Sequence, residues 1–410
     1  MRLSLLLLIG LFTFATSCQN DDSSSNIAKE RKDIVLSRSE EVLAEDNMDF
    51  AFRLFKQVNS TETQRSNWMI SPFSASLALG MMSNGAAGNT LEEMKNVLGF
   101  SNFDLNGMNA YNKKLITELL DLDNTTQLNI ANSIWVNKDF QLYNSFVDKN
   151  KDIYNAQISN LDFSSSNTPN TINRWCADYT NNSIDKIVNK VPSTTKMILL
   201  NALYFKGTWK KQFKKSDTKK EKFSNADGSV SDVLMMNQKE YFTYIYNKEF
   251  CVAEFPYGNG AYSMLILLPS EGNTLDHFLD NLTFDNWKEW YEQRYSQRLI
   301  VKFPRFEMVY EKELVEIMKS MGIKDAFNND VANFSGVSSD GLSWDSFKQA
   351  VCIRVNEEGT EAASVSKGDL KPSAPTPSVP EPFYVDRPFA FMIKEQSTDT
   401  ILFMGKVTKL

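Results

Sequence analysis

Residues 350–356 (AVCIRVN) read as a β-strand, and the chain that follows them is patterned as though it could become another one. Thr360, Ala362, Ser364, Ser366 and Gly368 hold alternate positions, with Glu361, Ala363, Val365 and Lys367 between them. Because side chains alternate across a strand, one face of this segment is uniformly small. Such a strand can slide between two others over a packed layer, where bulkier side chains would overpack. Gly359, preceded by Glu357 and Glu358, supplies a point of rotation at the start, since glycine reaches backbone angles closed to other residues.

The pattern then stops. Pro372, Pro375, Pro377, Pro380 and Pro382 follow, and proline cannot donate to a ladder, so an inserting strand ends near Lys371. From Thr360 to Lys371 there are 12 residues, about 40 Å at roughly 3.3 Å per residue, enough to cross a large sheet. The prolines stiffen what remains into an extended, exposed arm. The exposed loop 357–382 is therefore read as the working part of the chain. A plain linker has no reason to keep one face small for five alternate positions and then switch to proline.

Several function classes are excluded. The 410 residues contain one histidine, His277, in an amphipathic stretch (TLDHFLDNL) where a solvent-facing helix position is expected, so Ser-His-Asp and Cys-His chemistry lack their base. Cys18, Cys176, Cys251 and Cys352 form no CxxC pair, and no metal, redox centre or cofactor is expected. A net charge of −7 with mixed signs gives no footprint for nucleic acid. The Lys-rich stretch 210–222 reads as a solvated surface segment.

With 42% hydrophobic residues and no internal linker, the chain reads as one large domain over 39–410. A helix with a buried face is expected around Met48–Phe55, and residues 74–82 (SASLALGMM) read as a helix buried on nearly all sides. Strands are expected at 127–136, 197–206, 261–268 and 350–356; the second of these (MILLNALYFK) suits a central strand covered on both faces. Helices first, then large-sheet strands mixed with helices, indicate an α+β fold.

Residues 1–17 read as a signal peptide, with Arg2, an apolar run too short to span a bilayer, and Ala15-Thr16-Ser17 before Cys18. That ending resembles a bacterial lipobox, with Ala15 where leucine is usual, and implies lipid on Cys18 and membrane tethering through residues 18–38. An outer-membrane lipoprotein is expected. Gln19-Asn20-Asp21-Asp22 reads either as a surface-export signal or as a plain spacer, leaving the cell surface, the periplasm or secretion open.

Further motifs occur in order: residues 67–85 (NWMISPFSASLALGMMSNG), 200–213 (LNALYFKGTWKKQF), 301–307 (VKFPRFE), 321–327 (MGIKDAF), NEEGTEAAS from Asn356, 386–393 (DRPFAFMI) and 403–407 (FMGKV). Together they resemble the serpin family across nearly all of residues 48–410. The resemblance implies a large central mixed sheet, smaller additional sheets, eight to nine helices and an exposed reactive-centre loop. It also implies a monomeric inhibitor that a protease cleaves as a substrate, after which the loop inserts and traps the acyl-enzyme. The hinge falls on Glu357, Glu358, Gly359, Thr360, Glu361, Ala362, Ala363, Ser364 and Ser366; the breach, where the loop enters, on Trp209, Arg305 and Glu357; the shutter beneath the opening strands on Ser71, Ser74, Asn201 and Gln349. Gln349 stands where the family usually has histidine, and an amide can likewise donate and accept.

Counting from the hinge puts the reactive bond at Ser373-Ala374, whereas counting back from Pro388 points to Pro377. Pro372 makes Lys371 a poor trypsin-type site. Small residues around Ser373 favour an elastase-like target, with Leu370-Lys371 as a subtilisin-like alternative.

Overall fold

The structure is a computed structural model and describes residues 29–62, 67–360 and 379–410. Cys18 and its signal, and the loop from Glu361 to Ser378 with every candidate for the reactive bond, lie outside the described residues.

The first helix, Arg38–Thr61, starts where Ser37 and Glu40 form a reciprocal capping box, and it buries the expected stripe of Met48, Phe52 and Phe55. Residues 29–37, expected as linker, lie against the domain: Ile34 is buried and its N–H donates to Ser397 Oγ at 2.9 Å. The helix Pro72–Ser83 is buried at all twelve positions. Its first helical residue is a proline, which has no N–H to leave unpaired there, and the Ser71 hydroxyl accepts from Ser74 N–H at 3.2 Å. His277 is exposed on the short helix Leu275–Asp280, as its sequence suggests.

Nine α-helices surround two sheets among the described residues. The six-stranded mixed sheet runs Phe306–Glu313, Phe347–Val355, Gly359–Thr360, Met197–Thr208, Thr126–Asn137 and Gln157–Leu161. The remaining nine strands join into one further sheet, because the 17-residue strand Val230–Tyr246 pairs with Phe250–Pro256 near one end and with Tyr295–Pro304 along most of its length. The architecture is α+β, as expected.

The six-stranded sheet separates two packed regions. Leu199, Leu203 and Phe205 face the main core shared with the other sheet, whereas Ile198, Leu200 and Ala202 face a smaller core under the helix Thr168–Tyr179. Both faces of MILLNALYFK are thus covered, which is why the run is apolar at consecutive positions.

Candidate functional site: the mouth of the mixed sheet

The central strands of the mixed sheet part company at one end. Phe347–Val355 and Met197–Thr208 run parallel and pair from Phe347 opposite Leu199 to Val351 opposite Leu203. From there to the mouth, among the described residues, each pairs with its outer neighbour alone, Phe306–Glu313 on one side and Thr126–Asn137 on the other. Gly359 and Thr360 occupy the mouth of the gap, with Thr360 opposite both Gly207 and Val355. This corrects the expectation that the loop is exposed from Glu357 onward, since Glu357, Gly359 and Thr360 are buried. The physical reason is the pair of unmatched strand edges, whose backbone groups need partners that the start of the loop supplies.

Glycine is required at two places in this join. Gly359 has φ +152°, and a Cβ there would lie 1.9 Å from the Gly207 carbonyl oxygen. A Cβ on Gly207 would in turn meet the Tyr257 ring at 2.7 Å.

Trp209 and Arg305, which the resemblance assigns to the breach with Glu357, both bind the turn 356–358, Trp209 through Asn356 and Glu358 and Arg305 through Glu357. The Trp209 indole is buried and donates from Nε1 to the Asn356 carbonyl at 2.9 Å, and the Trp209 backbone N–H donates to the Glu358 carbonyl at 2.8 Å. Arg305 donates from Nε to Glu357 Oε1 at 2.8 Å and from Nη2 to the same oxygen at 2.5 Å, with the Thr218 hydroxyl as a further donor. Glu357 is 1% exposed. Burial opposes its ionisation, but the Arg305 and Thr218 donors and a backbone N–H outweigh burial and hold the carboxyl below its ordinary value. Glu358 pairs with Lys215, an exposed contact within the Lys-rich stretch that adds little.

Sequence reading missed Tyr257. Its ring stacks on Trp209 at 4.4 Å and 11°, and its hydroxyl lies 2.6 Å from Thr360 Oγ1 in a buried position. Burial pushes its ionisation above the ordinary tyrosine value, so the hydroxyl keeps its proton. Nothing in FPYGNG distinguishes this tyrosine, because its partners lie about fifty and a hundred residues away along the chain.

Of the residues that the resemblance assigns to the shutter, Gln349 and Asn201 lie farther down the same pair of strands, and Ser71 and Ser74 lie at the start of the helix Pro72–Ser83. Gln349 accepts from the Ser71 backbone N–H at 2.8 Å and donates to the Ser71 carbonyl at 2.8 Å, so one amide satisfies both backbone groups. Asn201 sits opposite Gln349 in register but hydrogen-bonds instead to Asn132, which in turn donates to the Tyr154 carbonyl. Ser74 contributes its backbone N–H to the cap of its helix rather than joining the amide cluster. Gln349→Ala strips two buried groups of their partner and is expected to lower stability by about 2–4 kcal/mol. Urea denaturation checks this through a reduced midpoint at unchanged slope; an unaltered midpoint would mean another group takes the amide's place.

The far end of the loop is also fixed. Glu381–Tyr384 pairs in parallel with the strand Tyr295–Pro304 at a sheet edge, where Pro382 is tolerated, and Gln297 donates to the Val379 carbonyl at 3.2 Å. Glu381 and Pro382 are exposed, as expected of the loop, but they are already paired in a sheet and not free of it. Among the described residues no group of His, Cys, Asp and Glu could hold a metal ion, and no helix is long and apolar enough to cross a membrane.

Residues 45–410 match the family model described as Serpin (serine protease inhibitor). Human Serpin B3 is 32% identical over 387 residues, covering 89% of this chain and 98% of the relative. Among solved structures, the thermophilic serpin tengpin in its native state superposes with a TM-score of 0.82 at 30% identity, covering 94% of this chain and 97% of that one. A thyroxine-binding globulin complex with thyroxine gives 0.81 at 27% identity, covering 89% and 98%. A mixed sheet that parts at one end, with a glycine-led segment already seated there and a match running from residue 45 to the last residue, places this chain in the serpin family, whose members are in general protease inhibitors.

Proposed function

We propose that the protein inhibits a protease as a suicide substrate, and the observation that carries this reading is the register of Gly359 and Thr360 in the mouth of the sheet. In an antiparallel pair each step forward along one strand meets one step back along the other. Starting from Thr360 opposite Gly207, continued pairing would set Ala362 opposite Phe205, Ser364 opposite Leu203, Ser366 opposite Asn201 and Leu370 opposite Met197, the first residue of that strand. Counting from Val355 on the other side brings Ser366 opposite Gln349 as well. The strand Met197–Thr208 is thus long enough to accept the loop as far as Leu370, one residue short of the limit that Pro372 imposes, and Phe347–Val355 as far as Gly368.

Directly opposed residues project from the same face, so Thr360, Ala362, Ser364, Ser366 and Gly368 would all face the main core with Leu203 and Phe205. That core is close-packed, which accounts for the small side chains. Entry requires the five parallel pairs from Phe347 to Val351 to separate. The Gln349 and Asn201 amides lie across that seam.

In the proposed reaction the protease's nucleophilic serine attacks the carbonyl of Ser373, the bond to Ala374 breaks, and the new amine leaves with the proton that the protease's general base supplies. The ester to Ser373 remains while the freed segment enters the sheet and carries the protease with it. Leu370, Lys371 and Pro377 are alternative bonds; elastase-like and subtilisin-like enzymes are the proposed targets. The protein acts as a monomer exported to the outer membrane on lipid-modified Cys18.

Incubation with elastase and subtilisin is expected to give a covalent complex that survives a denaturing gel, and sequencing the released peptide locates the bond. Cleavage by both without any complex would sink this reading. It would favour a binding protein instead, which the likeness to thyroxine-binding globulin supports.

A further inference from the structure

The buried hydroxyl pair beneath the mouth of the sheet has a role of its own. We propose that Tyr257 is a positioning residue that receives the first side chain of the seated segment and holds Gly359–Thr360 in the sheet before any cleavage. Three observations converge on it. The Tyr257 ring is clamped, stacked on Trp209 at 4.4 Å and set against Gly207, where any Cβ would collide with it at 2.7 Å. Its hydroxyl is therefore fixed in place, and it is aimed at Thr360 Oγ1, 2.6 Å away. Trp209 itself grips the preceding turn through Asn356 and Glu358, so ring, indole and turn form one rigid group.

Energetics give the pair a direction. Tyr257 is wholly buried, and Thr360 is the partner its hydroxyl has among the described residues. Withdrawing Thr360 from the sheet would leave the phenol O–H without a partner inside the core, and an unsatisfied buried donor is expensive. The hydroxyl thus acts as a latch that favours the seated position. It also fixes which residue is seated. A slip of one residue would present Gly359 or Glu361 to the phenol and turn the small face of the loop away from the main core.

The inference rests on reading the gap as an insertion site, but its test needs no protease. Hydrogen exchange across residues 353–360 would be measured on the intact full chain for Tyr257→Phe, Thr360→Val, Thr360→Ser and the double variant Tyr257→Phe/Thr360→Val. Each of Tyr257→Phe and Thr360→Val is expected to speed exchange there by about three- to tenfold, the range of one net hydrogen bond. Thr360→Ser keeps the hydroxyl and should exchange like the parent. The double variant should exchange no faster than the single ones, since both remove the same bond. Equal rates for Thr360→Ser and Thr360→Val, additive rates in the double variant, or unchanged exchange throughout would each overturn the assignment. Should Tyr257→Phe fail to fold, the Thr360→Val and Thr360→Ser comparison decides alone. A chain that passes this test yet forms no covalent complex keeps the latch and loses the inhibitory reading.

Discussion

One cut in the loop beyond Lys371 is expected to raise the thermal midpoint by roughly 13 °C. Ten residues, Glu361 to Leu370, would join the mixed sheet along Met197–Thr208, and eight of them, Glu361 to Gly368, along Phe347–Val355 as well. Taking each to contribute about 1 kcal/mol net, as an internal hydrogen bond does, the gain is about 10 kcal/mol. A domain of about 370 residues has an unfolding entropy near 0.8 kcal/mol per degree, so each kcal/mol moves the midpoint by about 1.3 °C. Calorimetry before and after limited proteolysis measures the shift. A cut loop that leaves the midpoint where it was would show that the gap between the strands does not take up the loop, whatever the protein binds.

Arg305→Ala should cost about 2–3 kcal/mol at neutral pH, and the loss should shrink in acid. Removing one partner of a buried pair strands the other, here Glu357 at 1% exposed; Arg305 itself is 37% exposed, which places the loss at or below the lower end of the range for buried pairs. The sign with pH follows from the direction of the shift. The carboxyl of Glu357 ionises below its ordinary value in the folded chain, so its contribution is present above that ordinary value and is lost as pH falls through the lowered one. Without Arg305, burial has less to oppose it and moves the carboxyl upward. The parent and the variant should therefore differ most at pH 7 and converge below about pH 4. Urea midpoints at the two pH values check this, and an equal difference at both would mean that Arg305 acts through packing alone.

Much of the site can be read from the chain, and the reason is periodicity. The small face from Thr360 to Gly368 and the prolines after it are local patterns, so the expectation that this segment inserts can be drawn without coordinates. The all-apolar run of Met197–Thr208 likewise announces a strand covered on both sides. The arrangement that seats the loop is not local. Tyr257 and Asn132 carry no signal in their own neighbourhoods, and their partners come from strands distant in sequence. The same limit explains why the loop start is read as exposed. Whether Gly359 and Thr360 lie in solvent or in the sheet depends on where two other strands cease to pair, which no property of residues 357–360 records.

The seated pair Gly359–Thr360 can finally be considered as a question of rate. Starting a strand is the slow part of building one, because several backbone angles are fixed before any bond rewards them, whereas lengthening it adds bonds residue by residue. Here the first residues already lie in register, with Trp209 and Tyr257 holding them. What a cut would release is then growth from an existing end. In the proposed mechanism a process that begins at its second step loses no time to nucleation, and the race against hydrolysis of the ester is decided in that interval.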